Sequence, residues 1–159
     1  MEHESVKIMW ENYTSLIGNS ETCNHDTYGV WHFCDNENDA NELAELVVKG
    51  IKKATASLFE SYAFENESIP KEGDLNIIIN WDGVAKCIIK TINVELVPYK
   101  EVTEEFAASE GEGDKSLNYW RNCHWDYFSR EMKEIGKEPS EDMIVVCEKF
   151  EVVYVWKIF

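Results

Sequence analysis

The sequence predicts an α+β fold in which a small curved sheet or barrel, mostly antiparallel, is flanked by helices. Short β-branched and aromatic runs are interspersed with amphipathic helical patterns. Two central runs are joined by residues 81–84, "WDGV", which is a tight-turn signal. Because parallel neighbours need long crossovers, this link favours antiparallel pairing. A length of 159 residues with 44% hydrophobic content fits one domain over 1–159.

The N-terminal third is predicted to contain two helices separated by a strand. Apolar residues at helical spacing indicate an amphipathic helix over residues 4–18, ended by Gly18. The aromatic run 27–34 indicates a strand, and the polar cluster after it can cap a helix. The second helix begins at Asp39, and Gly50 stands where a left-handed C-terminal cap is expected.

The rest of the chain is predicted to supply most of the sheet and the remaining helices. Alternation of apolar and hydroxyl-bearing residues is typical of a strand with one apolar face. The long C-terminal run is β-branched and aromatic, and its charged break allows either two strands or one bulged strand. The predicted elements are a strand (54–59), a hairpin (75–81 and 85–97), two helices (103–110 and 116–135) and the C-terminal β run (143–159).

The charge balance and the cysteines limit the classes of ligand and compartment. Fifteen basic residues against 31 acidic ones give a net charge of −16, which repels phosphate backbones and anionic membranes at long range. Any nucleic-acid ligand must therefore be bound locally. Five scattered cysteines favour reduced thiols. No segment approaches the roughly 20 apolar residues of a membrane span, and the acidic N-terminus is unlike a signal peptide. We expect a cytoplasmic protein with no membrane partner.

Four residues in the first third of the chain have side chains typical of zinc ligands. They are Cys23, His25, His32 and Cys34. Their spacing matches no usual arrangement of zinc ligands, and a thiol and an imidazole at the edge of a core is the simpler interpretation. We therefore expect no metal and no cofactor.

The last predicted helix carries a group of aromatic and basic side chains. Core packing is the simpler interpretation of Trp120, and stacking on a base is the alternative. Arg121 and His124 are three residues apart on one helix face and could present two donors to a carboxylate, a phosphate or a base edge. A partly exposed helix with its own salt bridges explains the same pattern, and both interpretations stay open.

The loop before that helix, "SEGEGDKS", places carboxylates at alternate positions around two glycines. They belong to Glu110, Glu112 and Asp114. One interpretation is a solvated loop in which Asp114 or Ser116 caps the next helix. The other is a carboxylate cluster in which repulsion and partial burial raise one pKa enough for acid or base work. The second needs a cation facing the loop.

The stretch "GIKKATASL" could supply that cation. Lys52 and Thr55 are three residues apart, so an extended strand would send them to opposite faces. They can converge only if the chain turns between Gly50 and Ala54. A desolvated lysine could then take the proton from the threonine hydroxyl. Spacing alone favours a surface lysine pair beside a strand threonine.

Four segments resemble, in order, the motifs of the ASCH domain family, a branch of the PUA-like superfamily. They are "LAELVVKGIKKATASL", "IPKEGDLNIIIN", "VTEEFAASEGEGDKSLNYWRNCHWDYF" and "MIVVCEKFEVVY". The similarity runs from about Tyr28 to the C-terminus and makes residues 1–159 a single ASCH, PUA-like domain that begins with the helix 4–18. The resemblance implies a β-barrel with flanking helices, a cleft lined by the Gly-x-Lys-x-x-Thr segment, and RNA or modified-nucleoside ligands.

Some small members of this family are amidohydrolases that remove the acetyl group of N4-acetylcytidine with a lysine, a threonine and a glutamate. In this chain the matching motif begins at Gly50, and the three residues correspond to Lys52, Thr55 and Glu110. The resemblance implies that Lys52 activates Thr55, that Thr55 attacks the amide carbonyl, and that Glu110 protonates or positions the leaving nitrogen. Ala56 stands where the small enzymes carry larger residues, so a different ligand is compatible with the cleft.

The leading hypothesis is therefore a cleft that binds a small nucleoside, a nucleotide or a short RNA and hydrolyses an amide on it. The expected catalytic residues are Lys52, Thr55 and Glu110. The expected substrate-binding residues are Gly50, Glu112, Asp114, Trp120, Arg121 and His124. The alternatives are a non-catalytic RNA or nucleotide-binding module and a ribonuclease. The net charge of −16 favours a small ligand over a long RNA.

Overall fold

The structure, a computed structural model, describes residues 1–18 and 27–156. In chain order its elements are α1 (Glu4–Ile17), β1 (Gly29–Trp31), α2 (Glu37–Val48), β2 (Ala54–Leu58), α3 (Phe59–Phe64), β3 (Leu75–Ile79), β4 (Ala85–Pro98), a 3₁₀ turn (Tyr99–Glu101), α4 (Glu104–Glu110), α5 (Leu117–Glu134) and β5 (Ile144–Val155). The five strands form one sheet in the order β1-β3-β4-β5-β2. The predicted α+β class, with a mostly antiparallel sheet, is confirmed.

The chain divides into two compact units. The first contains Met1–Ile51, Gly73–Thr91 and Phe150–Phe159, and the second contains Lys52–Glu72 and Ile92–Lys149. Strands β4 and β5 supply residues to each unit. The organisation of residues 1–159 as a single domain stays a prediction.

In the first unit, strand β3 carries a helix contact on each of its two faces. It pairs in parallel with β1 and antiparallel with β4. Ile77 belongs to the cluster that contains Val6 and Met9 of α1, whereas its neighbour Ile78 belongs to the cluster that contains Val47 of α2. Successive strand residues point to opposite faces, so the run of isoleucines serves both helices. The turn after β3 closes with a hydrogen bond from Asn80 N to Val84 O, as the hairpin signal predicts.

Helix α2 ends in a Schellman motif that turns the chain towards β2. Gly50, with φ +74°, donates from its backbone N–H to Val47 O, and Ile51 donates to Leu46 O. The left-handed conformation at Gly50 is the one that the sequence predicts. Lys52 follows this motif directly.

In the second unit, one face of β2 packs under α4 and α5. β2 pairs antiparallel with β5, with Ala56 opposite Cys147. Ala54 and Leu58 belong to the core cluster that contains Phe106 of α4 and Phe128 of α5. By strand alternation, Thr55 and Ser57 face the other side of the sheet.

Several element boundaries differ from the sequence predictions. The helix predicted from Asp39 begins at Glu37, and the strand predicted over 75–81 ends at Ile79. The strand predicted over 27–34 is shorter, at Gly29–Trp31. The C-terminal run is one continuous strand, Ile144–Val155. The strand predicted over 54–59 ends at Leu58, because the six-residue helix α3 begins at Phe59. This helix has no side-chain cap and no buried residue, so it carries neither of the usual sequence signals of a helix.

The described residues allow three further statements on the earlier expectations. Within residues 1–18 and 27–156, no helix is long and apolar enough to cross a membrane. None of the four described cysteines takes part in a disulfide. Of the four candidate zinc ligands, Cys23 and His25 lie outside the described residues. The ring of His32 packs against Trp81 at 5.2 Å.

Candidate functional site

Lys52 is almost completely buried in the second unit, with 2% of its surface exposed. The backbone N–H of the next residue, Lys53, donates to Ser109 O at 2.8 Å, which fastens the segment before β2 to the end of α4. Lys53 itself is exposed. The two adjacent lysines therefore lie in opposite environments, and only Lys52 points inward.

The loop after α4 brings a carboxylate to Lys52. Helix α4 ends at Glu110, and Gly111 and Gly113 follow with φ values of +70° and +57°. These left-handed residues turn the chain so that Glu112 Oε2 lies 2.8 Å from Lys52 Nζ. The same ammonium donates to the backbone carbonyl oxygen of Glu110 at 3.4 Å. The Gly-Glu-Gly spacing is thus a structural requirement for this contact, since other residues rarely adopt these φ values.

His124 of α5 completes the group. Its Nδ1 lies 2.8 Å from Trp120 O, and because a carbonyl only accepts, Nδ1 carries the proton. Nε2 therefore faces Glu110 Oε2, at 3.2 Å. This contact is an ion pair when the imidazole is protonated. The imidazole also stacks on the Trp120 ring at 4.2 Å.

We call Lys52, Glu110, Glu112 and His124 the acid–base cluster. Burial alone would raise the pKa of Glu110, but the charges of Lys52 and His124 hold that pKa below its ordinary value. For Glu112, burial and the neighbouring Glu110 outweigh Lys52 and raise the pKa. Burial would lower the pKa of His124, but the carboxylate of Glu110 raises it. The cluster therefore holds one glutamate ionised and disposes the other to keep a proton, which is the usual arrangement of an acid–base pair.

The third residue of the predicted catalytic set lies on the sheet. Thr55 is half-buried on β2, directly opposite Glu148 of β5. Strand alternation directs it to the face opposite that of Ala54. Gly50, which begins the motif, forms the cap described above. The structure thus brings Lys52 and Glu110 together and puts Thr55 on the strand that follows them.

The other predicted binding residues have separate environments. Asp114 is exposed and accepts from Ser116 N at 2.8 Å, while Ser116 caps α5 by accepting from Tyr119 N. Trp120 is buried in the core. Arg121 donates from Nη2 to Lys100 O at 3.1 Å. Among the predicted binding residues on α5, His124 is the one whose side chain contacts the Glu110 carboxylate.

Two features of this region have no counterpart in the sequence predictions. Glu148, opposite Thr55, is buried, with 5% of its surface exposed. The sequence feature that could have indicated this buried charge is the break at Glu148 and Lys149 in an otherwise apolar β run. Tyr62 of the short helix α3 contacts Ser57 of β2, with 2.7 Å between the hydroxyl oxygens. Burial raises the pKa of Tyr62, and the charge of Glu148 raises it further.

His, Cys, Asp and Glu side chains are the usual protein ligands of metal ions. Across residues 1–18 and 27–156, no three or more His, Cys, Asp or Glu side chains are grouped so that they could hold a metal ion.

The chain is similar to one family model and to several solved structures. A model of the ASCH domain matches residues 29–154. The ASCH domain from Lactobacillus crispatus is 40% identical, with 96% of each chain covered and a TM-score of 0.91. The protein EF3133 from Enterococcus faecalis is 33% identical, with 96% of this chain and 90% of that chain covered and a TM-score of 0.84. No curated protein matches the chain at a significant level.

The family model spans most of the chain, and both solved structures align along almost its whole length. The residues of the acid–base cluster and β2 all lie inside the matched range. The PUA-like α+β fold predicted from the sequence is confirmed by the first of these structures. On this evidence the chain belongs to the ASCH domain family.

Proposed function

We propose that this ASCH domain binds a modified nucleoside at the acid–base cluster and hydrolyses an amide on it, of the kind found in N4-acetylcytidine. The observation that carries the proposal is the burial of Lys52 at 2% exposure, 2.8 Å from Glu112 and beside Glu110. Apolar residues of similar volume often replace a buried ion pair without loss of stability. The need for stability therefore explains such a cluster poorly, whereas pKa values shifted in opposite directions are frequent in active sites.

Amide hydrolysis requires a donor to the developing oxyanion, a nucleophile and an acid for the leaving nitrogen. Lys52 suits the first task, because Glu112 and the carbonyl of Glu110 fix its ammonium group. Glu112 suits the third task, because its raised pKa lets it keep a proton to higher pH than an ordinary glutamate. Glu110 has a lowered pKa, so it acts as the ionised group that orients Lys52 and His124.

The nucleophile in this proposal is Thr55, and its assignment rests on the family motif. Its hydroxyl attacks the amide carbonyl carbon and gives its proton to solvent water, the carbon–nitrogen bond breaks, and the amine leaves with a proton from Glu112. Water then hydrolyses the ester, which releases acetate, regenerates the hydroxyl and returns a proton to the Glu112 carboxylate. Strand alternation directs Thr55 to the face opposite that of Ala54. The Thr55→Ala variant removes the hydroxyl and is therefore the most direct check of this step.

The test is chromatographic detection of cytidine and acetate released from N4-acetylcytidine by the purified protein. We expect Lys52→Met, Glu112→Gln and Thr55→Ala each to lower kcat at least about 100-fold, the order found for an essential acid, base or oxyanion donor. Lys53→Met is the matched control, because the neighbouring lysine is exposed, and it should turn over like the wild type. Circular dichroism melts establish that each variant is folded.

The outcomes separate the candidate functions. Wild-type protein that releases no cytidine would refute the hydrolase, and binding of the nucleoside without turnover would support the non-catalytic module instead. Cleavage of a short RNA would support the ribonuclease. Full turnover by Thr55→Ala would remove Thr55 from the mechanism while Lys52→Met still tests the cluster.

A further inference from the structure

A cavity lies beside α5 in the second unit. Its volume is about 380 Å³, within the range of small-molecule sites. It is lined by Tyr99, Arg121, Asn122, Trp125, Asp126 and Glu141. None of these residues belongs to the acid–base cluster. We call this cavity the α5 pocket.

The walls of the α5 pocket are held together by backbone and side-chain hydrogen bonds. Tyr99 N donates to Met143 O at 2.7 Å, which joins the 3₁₀ turn to the segment before β5. The Tyr99 hydroxyl donates to Arg121 O at 2.7 Å, which joins the same turn to α5. Because these bonds link all three lining segments, the cavity is formed in advance of any ligand.

Two aromatic rings provide surface for a flat ligand. Tyr99 is buried, and Trp125, which is half-buried, lies 5.4 Å from it between ring centroids at an angle of 56°. Because Trp125 is only half-buried and lines the cavity, a ring from solution can lie against its accessible surface. Base–aromatic stacking of this type contributes to the binding of every nucleobase.

The polar lining combines a donor with two acceptors. Arg121 is held in place by its bond from Nη2 to Lys100 O, and its buried Nε–H has no hydrogen-bond partner within the described residues. Asp126 and Glu141 are exposed carboxylates on two different segments. A ligand with a hydrogen-bond acceptor beside an N–H donor matches this lining. A phosphate does not, because two carboxylates and a net charge of −16 oppose it.

We propose that the α5 pocket is a second binding site that takes an amino-substituted nucleobase, such as adenine or cytosine. The ring lies against Trp125, Asp126 and Glu141 accept from the exocyclic amino group, and Arg121 donates to the neighbouring ring acceptor. The amino group offers two N–H donors to the two carboxylates, whereas hypoxanthine and uracil offer only the single ring N–H beside their carbonyl oxygen and so leave one carboxylate without a donor. Binding here does not depend on turnover at the acid–base cluster.

The experiment compares pairs of nucleosides that differ at this one group, by titration calorimetry or by ¹H–¹⁵N NMR of the tryptophan indole signals. Adenosine should bind at least about tenfold more tightly than inosine, and cytidine than uridine, because a hydrogen bond to a charged group is lost. The double variant Asp126→Asn with Glu141→Gln should weaken adenosine binding by about tenfold or more. Glu138→Gln, which removes an exposed charge outside the pocket, should leave it unchanged.

The proposal is overturned by any one of three results: adenosine and inosine bind equally, the double variant binds adenosine like the wild type, or adenosine shows no saturable binding. Glu112→Gln is the variant that separates this site from the proposed hydrolase site. If adenosine binding is lost in Glu112→Gln and kept in the double variant, the nucleoside lies at the acid–base cluster and the α5 pocket is not its site. Failure of N4-acetylcytidine hydrolysis alone leaves the nucleoside comparison intact.

Discussion

The acid–base cluster and the α5 pocket have similar charges in different surroundings. Each combines one strongly basic side chain with two carboxylates: Lys52 with Glu110 and Glu112, and Arg121 with Asp126 and Glu141. In the cluster, Lys52 and Glu110 are buried, at 2% and 1% exposure. In the pocket both carboxylates are exposed.

The difference in burial determines how strongly the charges within each group interact. The interaction of two unit charges at about 4 Å rises from about 1 kcal/mol in bulk water to about 4 kcal/mol at the effective dielectric constant of a protein surface. Charges in the cluster are therefore interdependent, and removing one leaves the others uncompensated. Charges around the pocket are screened, so they can serve recognition without being required for folding.

The largest expected effect is that of Lys52→Met on stability. This change leaves Glu110 and Glu112 without their buried cation, and breaking a buried pair in this way typically costs about 3–5 kcal/mol. Urea unfolding measures the loss. The exposed control Lys53→Met should stay within about 0.5 kcal/mol of the wild type.

A second variant tests whether the loss comes from the uncompensated charge. Combining Lys52→Met with Glu112→Gln removes one carboxylate together with its partner, so it should recover part of the stability. A Lys52→Met protein as stable as Lys53→Met would show that the cluster relaxes and that its charges are independent.

The next effect is a dependence of stability on pH that arises in the cluster. The pKa of His124 is raised above its ordinary 6.5, so its contribution is complete below that pH and is lost as the pH rises through the folded-state value. The pKa of Glu112 is also raised, so its contribution to stability is complete below pH 4.5 and is lost as the pH rises above that value. The lowered pKa of Glu110 acts oppositely, and its contribution is lost only as the pH falls below 4.5.

The contributions of Glu110 and His124 should together be largest between their ordinary pKa values of 4.5 and 6.5, and the loss of the Glu112 contribution above pH 4.5 moves the maximum to the acidic end of that range. Urea unfolding of the wild type at pH 5.5 and pH 8 measures the difference, which His124→Gln should reduce. His3→Gln, at the exposed start of α1, is the histidine control and should keep the wild-type difference. Equal pH dependence in the His124→Gln protein and the wild type would contradict the coupling of His124 to Glu110.

Local signals in the sequence predict much of the fold but little of the cluster geometry. Helix α2 and its Gly50 cap, and the hairpin of β3 and β4, each have their own periodicity or turn residues. Helix α3 has only six residues and no cap, so no periodic pattern could reveal it. The sequence also left the C-terminal run open as two strands or one, because a charged residue in the run is compatible with either.

The contact between Lys52 and Glu112 spans 60 residues of the chain, and spacing alone cannot predict a contact of that separation. The family resemblance predicts Lys52 and Glu110 as site residues. Whether Glu112 or Glu110 meets the ammonium through its side chain depends on the left-handed turns at Gly111 and Gly113, and these φ values are known only from the folded chain. For Thr55 the local pattern is enough for a prediction, since strand alternation directs it to the face opposite that of Ala54.

The smallest expected effect compares one carboxylate from each region. Glu110→Gln removes a buried charge that balances Lys52 and His124, and we expect a loss of about 1–3 kcal/mol in the free energy of unfolding. Glu141→Gln removes an exposed charge at the rim of the α5 pocket and should change it by less than about 0.5 kcal/mol. Both substitutions keep the side-chain size and delete one negative charge, so the difference between them measures what burial and the charges of Lys52 and His124 add. Equal losses in the two variants would mean that solvent screens both regions alike, and the distinction between a buried cluster and an exposed pocket would lose its energetic meaning.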